Sequence, residues 1–174
     1  MKRQIAFIIA ALLLAVLLTA CGAGASEGAA PEGTPEEIIE AIYAEKSVEL
    51  NLMSLPIELS DADAVRYNLG LEDASAVKEA AVSEPMMGSQ AYSLVVVRVN
   101  DAADAETTAR AMLEGIDQRK WICVEADSLR VMTKGDVVLL FMVDTQFADT
   151  VTADEIEAAF TKLCGADPDL VLNK

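Results

Sequence analysis

Apolar residues recur along this chain in two rhythms, one of helices and one of strands. Ile38, Ile39 and Ile42 follow Thr34-Pro35-Glu36-Glu37 at helical spacing. That tetrapeptide supplies a cap, a first-turn proline and a glutamate three residues after the cap, so a helix is expected over residues 35–46. Leu52-Met53-Ser54-Leu55-Pro56 breaks the pattern, and Ser60-Asp61-Ala62-Asp63 opens a short helix through Val65 and Leu69 that Gly70 ends. Residues 76–83 and the β-branched run from Tyr92 to Val99 read as a first antiparallel hairpin, with turn residues Glu84-Pro85 and Gly88-Ser89 between them. Asp101 then caps a helix whose Ala105, Ala109, Met112, Leu113 and Ile116 fall on one face. Residues 128–133 and 137–144 flank Lys134-Gly135-Asp136 as a second hairpin. Thr152-Ala153-Asp154-Glu155 is a capping box, and Ile156, Ala159, Phe160 and Leu163 continue it until Gly165 and Pro168.

The element order read from these signals is α-α-β-β-α-β-β-α. Two hairpins, each followed by an amphipathic helix, predict an α+β fold: a four-stranded antiparallel sheet with helices packed mainly on one face. Val137, Leu139, Phe141 and Val143 alternate with Val138, Leu140 and Met142, so that strand is apolar on both sides and is expected to be central.

The longest apolar run precedes all of this. Lys2 and Arg3 form a basic start, and residues 4–20 carry no charge, which is the layout of a secretory signal. The run closes on Leu18-Thr19-Ala20-Cys21, which resembles the lipobox of bacterial lipoproteins. The resemblance implies cleavage between Ala20 and Cys21 and a diacylglyceryl group (palmitate-type chains) on the Cys21 sulfur. Two acyl chains suffice for stable attachment, at roughly 0.8 kcal/mol per buried methylene. The expected organisation is a signal peptide over 1–20, a small and polar tether over 21–33 rich in glycine and alanine, and one α+β domain over 34–174. The expected location is the cell membrane, lipid-anchored on the extracytoplasmic side.

Charge narrows the partners. The chain holds 13 basic against 29 acidic residues, a net charge of −16, and losing Lys2 and Arg3 with the signal makes the mature chain two units more negative. Nucleic acid is therefore not an expected partner, and the domain should not lie flat on anionic lipid. The remaining partners are the membrane, through the lipid on Cys21, and an envelope protein.

Reaction chemistry is hard to assemble from this sequence. There is no histidine, so Ser-His-Asp and Cys-His nucleophile systems have no base and zinc sites lose their usual ligand. Asp61-Ala62-Asp63 and Asn100-Asp101-Ala102-Ala103-Asp104 lack the glycine and distal glutamate of a calcium loop and read as helix caps. No phosphate-cradling glycine motif is present. Cys123 and Cys164 can pair in an oxidising compartment or stay as buried thiols, and no CxxC spacing supports a redox role. Neither a metal site, a catalytic residue nor a cofactor beyond the lipid is expected. Met86 and Met87, in the first hairpin's loop, are the candidate contact residues, because flexible thioether side chains suit an adaptable surface.

The ordered set of a polar first helix, the short segment from Ser60 to Gly70, the Pro85-Met86-Met87-Gly88 turn, the Tyr92–Val99 strand leading into the Asp101 helix, and the Lys134-Gly135-Asp136 hairpin resembles the bacterial domain-of-unknown-function family 4358. That family is made up largely of clostridial lipoproteins, and the resemblance implies anchorage and fold rather than an activity. The expected function is a non-catalytic binding module of the cell envelope. The alternatives are a lipoprotein that captures a small solute, or an enzyme working with carboxylates alone.

Overall fold

Both capping boxes form as the sequence predicts, and they set where two of the helices begin. In the computed structural model, which describes residues 28–147 and 149–174, helix α1 (Pro35–Glu45) starts with Thr34 accepting from the Glu37 N–H while the Glu37 side chain reaches back to the Thr34 N–H. Helix α4 (Ala153–Cys164) starts the same way on Thr152 and Glu155 and stops at Gly165 in the left-handed conformation. Helix α2 (Ala62–Leu69) is capped by Asp61 and ended by Gly70. Asp101 caps a short 3₁₀ turn, after which α3 (Ala105–Gly115) runs on. The signal segment, the cleavage point at Ala20 and the lipidation site Cys21 lie outside the described residues.

The sheet corrects the four-stranded expectation. Among the described residues it has six strands, all antiparallel: β1 (Leu52–Pro56), β2 (Val77–Pro85), β3 (Tyr92–Val99), β4 (Ser128–Lys134), β5 (Val137–Val143) and β6 (Leu170–Asn173), in the spatial order β1-β2-β3-β5-β4-β6. The two hairpins are present, and β3 and β5 meet at the centre with Tyr92 opposite Val143 and Arg98 opposite Val137. Both added strands sit at the edges. β1 runs against β2 with Met53 opposite Glu84, and β6 runs against β4 with Val131 opposite Leu172.

The helices also depart from expectation, because they cover both faces. On one face α2 and α3 pack Val65, Leu69, Ala105, Ala109 and Met112 over Val95, Val97, Val138, Leu140 and Met142. On the other, α1 and α4 pack Ile38, Ile39, Ile42, Ile156 and Phe160 over Leu94, Val96, Leu139 and Phe141. The physical reason lies in β3 and β5, whose residues are buried without exception. A strand apolar on both sides leaves two hydrophobic surfaces to cover, and each buried Val, Leu or Phe side chain contributes roughly 1.5–3 kcal/mol only if something covers it.

Two features fix how the ends of the sheet are dressed. Gly70 and Gly115 bring α2 against the end of α3: a Cβ on Gly115 would lie 2.0 Å from the Gly70 carbonyl oxygen, and one on Gly70 would lie 2.2 Å from the Ile116 nitrogen. At the opposite end of the sheet the Arg98 side chain is nearly buried. Its Nε donates to the Gly33 carbonyl at 2.8 Å, its Nη2 to the Pro31 carbonyl, and its Nη1 to both Asp136 oxygens at 2.8 and 2.7 Å. The residues just before α1 are thereby held beside the β4–β5 turn, with Pro31 buried. No helix among the described residues is long and apolar enough to cross a membrane.

Candidate functional site

The segment between α3 and β4 is too long for a tight turn, and it closes on itself. Gln118 accepts from the Ala126 N–H through its carbonyl at 2.9 Å and donates from Nε2 to the Ala126 carbonyl at 2.8 Å. Asp117 caps the start of the loop by accepting from the Arg119 N–H at 2.8 Å. The result is a compact loop held at its neck. Cys123 takes a left-handed backbone conformation, with φ of 64°, at the point where the loop turns over. A non-glycine residue there costs on the order of 1 kcal/mol, and the surrounding contacts must supply it.

Those contacts centre on Lys120. Its side chain is only 2% exposed, and its Nζ lies 2.6 Å from Glu84 Oε1 of β2 and 3.3 Å from Ser93 Oγ of β3. The Glu84 contact is short but poorly aligned as a hydrogen bond, so it acts chiefly as a Coulombic pair. The ammonium also sits over the Tyr67 ring of α2 at 4.7 Å and the Trp121 ring at 5.4 Å. Burial lowers the lysine's pKa and outweighs Glu84 and Asp117, which raise it. Lys120 thus pins the loop to the sheet from beneath, at a net electrostatic cost.

With Lys120 and Trp121 turned inward, the next residue is pushed out. Ile122 is 76% exposed, and its N–H donates to the Gly88 carbonyl at 3.3 Å, which joins this loop to the β2–β3 loop. Met86 and Met87 stand in that second loop, 63% and 61% exposed, and Asn51 Nδ2 donates weakly to Met86 Sδ at 3.6 Å. The structure therefore brings the two predicted contact residues beside a third exposed apolar side chain that pattern reading did not single out. Met53, Leu55 and Tyr67 extend the exposed apolar surface down the β1 edge and α2. Isolated exposed hydrophobics need no explanation, and a group of them at one end of a fold is the kind of surface that binding regions use.

Two clefts flank the loop, and both open to solvent. One of about 600 Å³ is lined by Arg119, Trp121, Cys123, Glu125, Asp144 and Gln146. The other, about 430 Å³, lies between α2 and the loop, against Arg66, Tyr67 and Asp117. The carboxyls displaced from their ordinary values, Glu58, Glu72, Asp73, Asp127, Glu155 and Asp169, are displaced downward, by Ser60, Arg66, Ser75, Thr145, Lys46 and, against burial, Lys134 respectively. Among the described residues no group of three or more Cys, Asp or Glu side chains is placed to hold a metal ion.

No family model, curated protein or solved structure matches this chain. Both cysteines outside the signal region are free: Cys123 is exposed on the loop, and Cys164 is buried at the far end of α4, where burial pushes its thiol up to about 11. Cys123 is thus not the core thiol that its neighbours Trp121, Ile122 and Val124 suggest. That Lys120, Glu84, Ser93 and Tyr67 meet is not legible in the sequence, because they lie far apart in the chain. The one available signal was a lysine and a tryptophan side by side in a long connection.

Proposed function

We propose that this chain is a non-catalytic binding module of the cell envelope, held to the extracytoplasmic face of a membrane by lipid on Cys21, with Met86, Met87 and Ile122 as the centre of its contact surface. The observation that carries the reading is the exposed apolar group formed where two loops meet, on a support made rigid by Lys120. Preorganised loops lower the entropy lost on binding. The open form of both clefts favours a macromolecular partner over a captured solute, which would be largely enclosed.

The test is chemical cross-linking on native cells, detergent extraction of the chain, and mass spectrometry of what accompanies it. A protein recovered in fixed proportion, and lost when Met86, Met87 and Ile122 are changed to serine, supports the module. Recovery that is indifferent to those three changes rejects this surface, and the absence of any partner moves the reading to a small molecule in the 600 Å³ cleft.

A further inference from the structure

The register of β3 on β5 places the methionine loop and the N-terminal attachment at opposite ends of the sheet. Tyr92 lies against Val143 at the end where Met86, Met87 and Ile122 gather. Arg98 lies against Val137 at the other end, where it holds Pro31 and Gly33. Gly28 is also fixed there, since a Cβ on it would lie 2.3 Å from the Cys164 carbonyl oxygen and 2.5 Å from the Ala166 side chain. Along β3, from Tyr92 to Arg98, the two ends are roughly 20 Å apart. From Cys21 to Gly28 a fully extended chain reaches at most roughly 25 Å. An anchor at Cys21 therefore favours the Arg98 end facing the bilayer, because the methionine loop comes down to lipid only with the tether drawn out along the sheet.

Both ends carry acids without a salt-bridge cation among the described residues, Glu32, Asp101 and Asp167 at the Arg98 end among them, but the exposed Met86, Met87 and Ile122 stand at the methionine end. At the Arg98 end the cations are matched, Arg98 by Asp136 and Lys134 by Asp169. At the methionine end Lys120 is held by Glu84 with Asp117 nearby, and Arg119 by Glu125, while Glu49, Asp127 and Asp144 have no cation in salt-bridge range among the described residues. Asp127 and Asp144 accept from Thr145 and Gln146 rather than from a cation. An apolar centre with an uncompensated acidic rim repels anionic lipid, and it repels a second copy of itself.

We propose, resting on the anchorage reading above, that this end is the membrane-distal tip and docks a protein segment in which an apolar side chain is flanked by lysine or arginine. The apolar residue packs among Met86, Met87 and Ile122, and the flanking cations face the acidic rim. Thioether side chains adapt to the shape of what enters, so the partner is set by charge pattern more than by one side-chain outline.

The test uses the full lipidated chain on phosphatidylcholine vesicles, with a benzophenone photo-probe replacing Met87 or, separately, Glu32. The vesicles are irradiated with a leucine–lysine peptide or with a leucine–glutamate peptide of equal length. The probe at 87 is expected to couple to the lysine peptide about tenfold more than to the glutamate peptide, and Ile122→Ser is expected to cut that coupling about tenfold. The probe at 32 is expected to couple to lipid. Lipid adducts at 87 matching those at 32, chain-to-chain adducts in excess of peptide adducts, equal coupling to both peptides, or coupling that survives Ile122→Ser would each overturn the proposal. A chain that floats free of vesicles, giving lipid adducts at neither position, removes the anchorage and with it the orientation, while the peptide comparison at 87 still decides the partner's chemistry.

Discussion

Lys120 Nζ and Glu84 Oε1 stand 2.6 Å apart, with 2% of the lysine side chain and 22% of the glutamate side chain exposed. Removing one partner strands the other, and the partial exposure of Glu84 tempers the loss. Lys120→Met should destabilise the domain by about 2 kcal/mol in urea unfolding. Lys120→Met with Glu84→Leu should recover most of that, because burial already opposes the lysine's charge. A double variant weaker than the single would show that the pair contributes net stability.

Arg98 predicts a different behaviour, since its planar fork serves Asp136, Gly33 and Pro31 at once. Arg98→Ala should cost about 3 kcal/mol, and Arg98→Lys should rescue little, because an ammonium cannot reproduce the bidentate geometry. Amide hydrogen exchange at residues 29–33 should accelerate in both variants. Unchanged exchange there would mean that the segment is held by other contacts.

The glycines offer an internal comparison. Gly115→Ala drives a Cβ into the Gly70 carbonyl and should cost about 2–3 kcal/mol, whereas Gly165→Ala meets open space and should cost about 1 kcal/mol for its left-handed backbone alone. Thermal unfolding of both variants measures the difference. Equal costs would mean that α2 moves freely away from α3.

Cys164 carries a pH signature. Its folded pKa is raised by burial from 9.0 to about 11, so the folded state keeps the proton longer than the unfolded state does. The thiol's contribution is complete below pH 9 and is lost as pH rises through 11, a change of about 2–3 kcal/mol. The stability difference between wild type and Cys164→Ala should therefore shrink over that window, read from urea midpoints at successive pH values. At pH 8 a thiol reagent should label exposed Cys123 in the native chain and leave Cys164 untouched.

Much of the fold was legible because its signals are local. Thr34 with Glu37, Thr152 with Glu155, and the stop at Gly70 each act within a few residues, and all three operate as the sequence suggests. The edge strands were not legible for the same reason. Leu52-Met53-Ser54-Leu55-Pro56 ends in proline and leaves Met53 and Leu55 exposed, and Leu170–Asn173 is short and half-buried, so both become strands only through β2 and β4. The doubly apolar β5 marks a central strand, yet an alternating strand does not say whether its second face is covered by helices or left as a binding surface. At the site, Met86 and Met87 were visible as exposed thioethers in a turn. Ile122 was not, because its exposure depends on Lys120 finding Glu84 and Ser93 across the sheet.

The central claim is that the loop end carrying Met86, Met87 and Ile122 binds a partner while contributing little to the fold. Changing all three to serine in the native host and comparing partner recovery, membrane retention and urea midpoint against wild type addresses it most directly. Surface changes of this kind leave stability within about 0.5 kcal/mol, so the midpoint and the membrane retention should hold while cross-linked partner falls about tenfold. Partner recovered at the wild-type level from a folded, membrane-held triple variant would contradict the account.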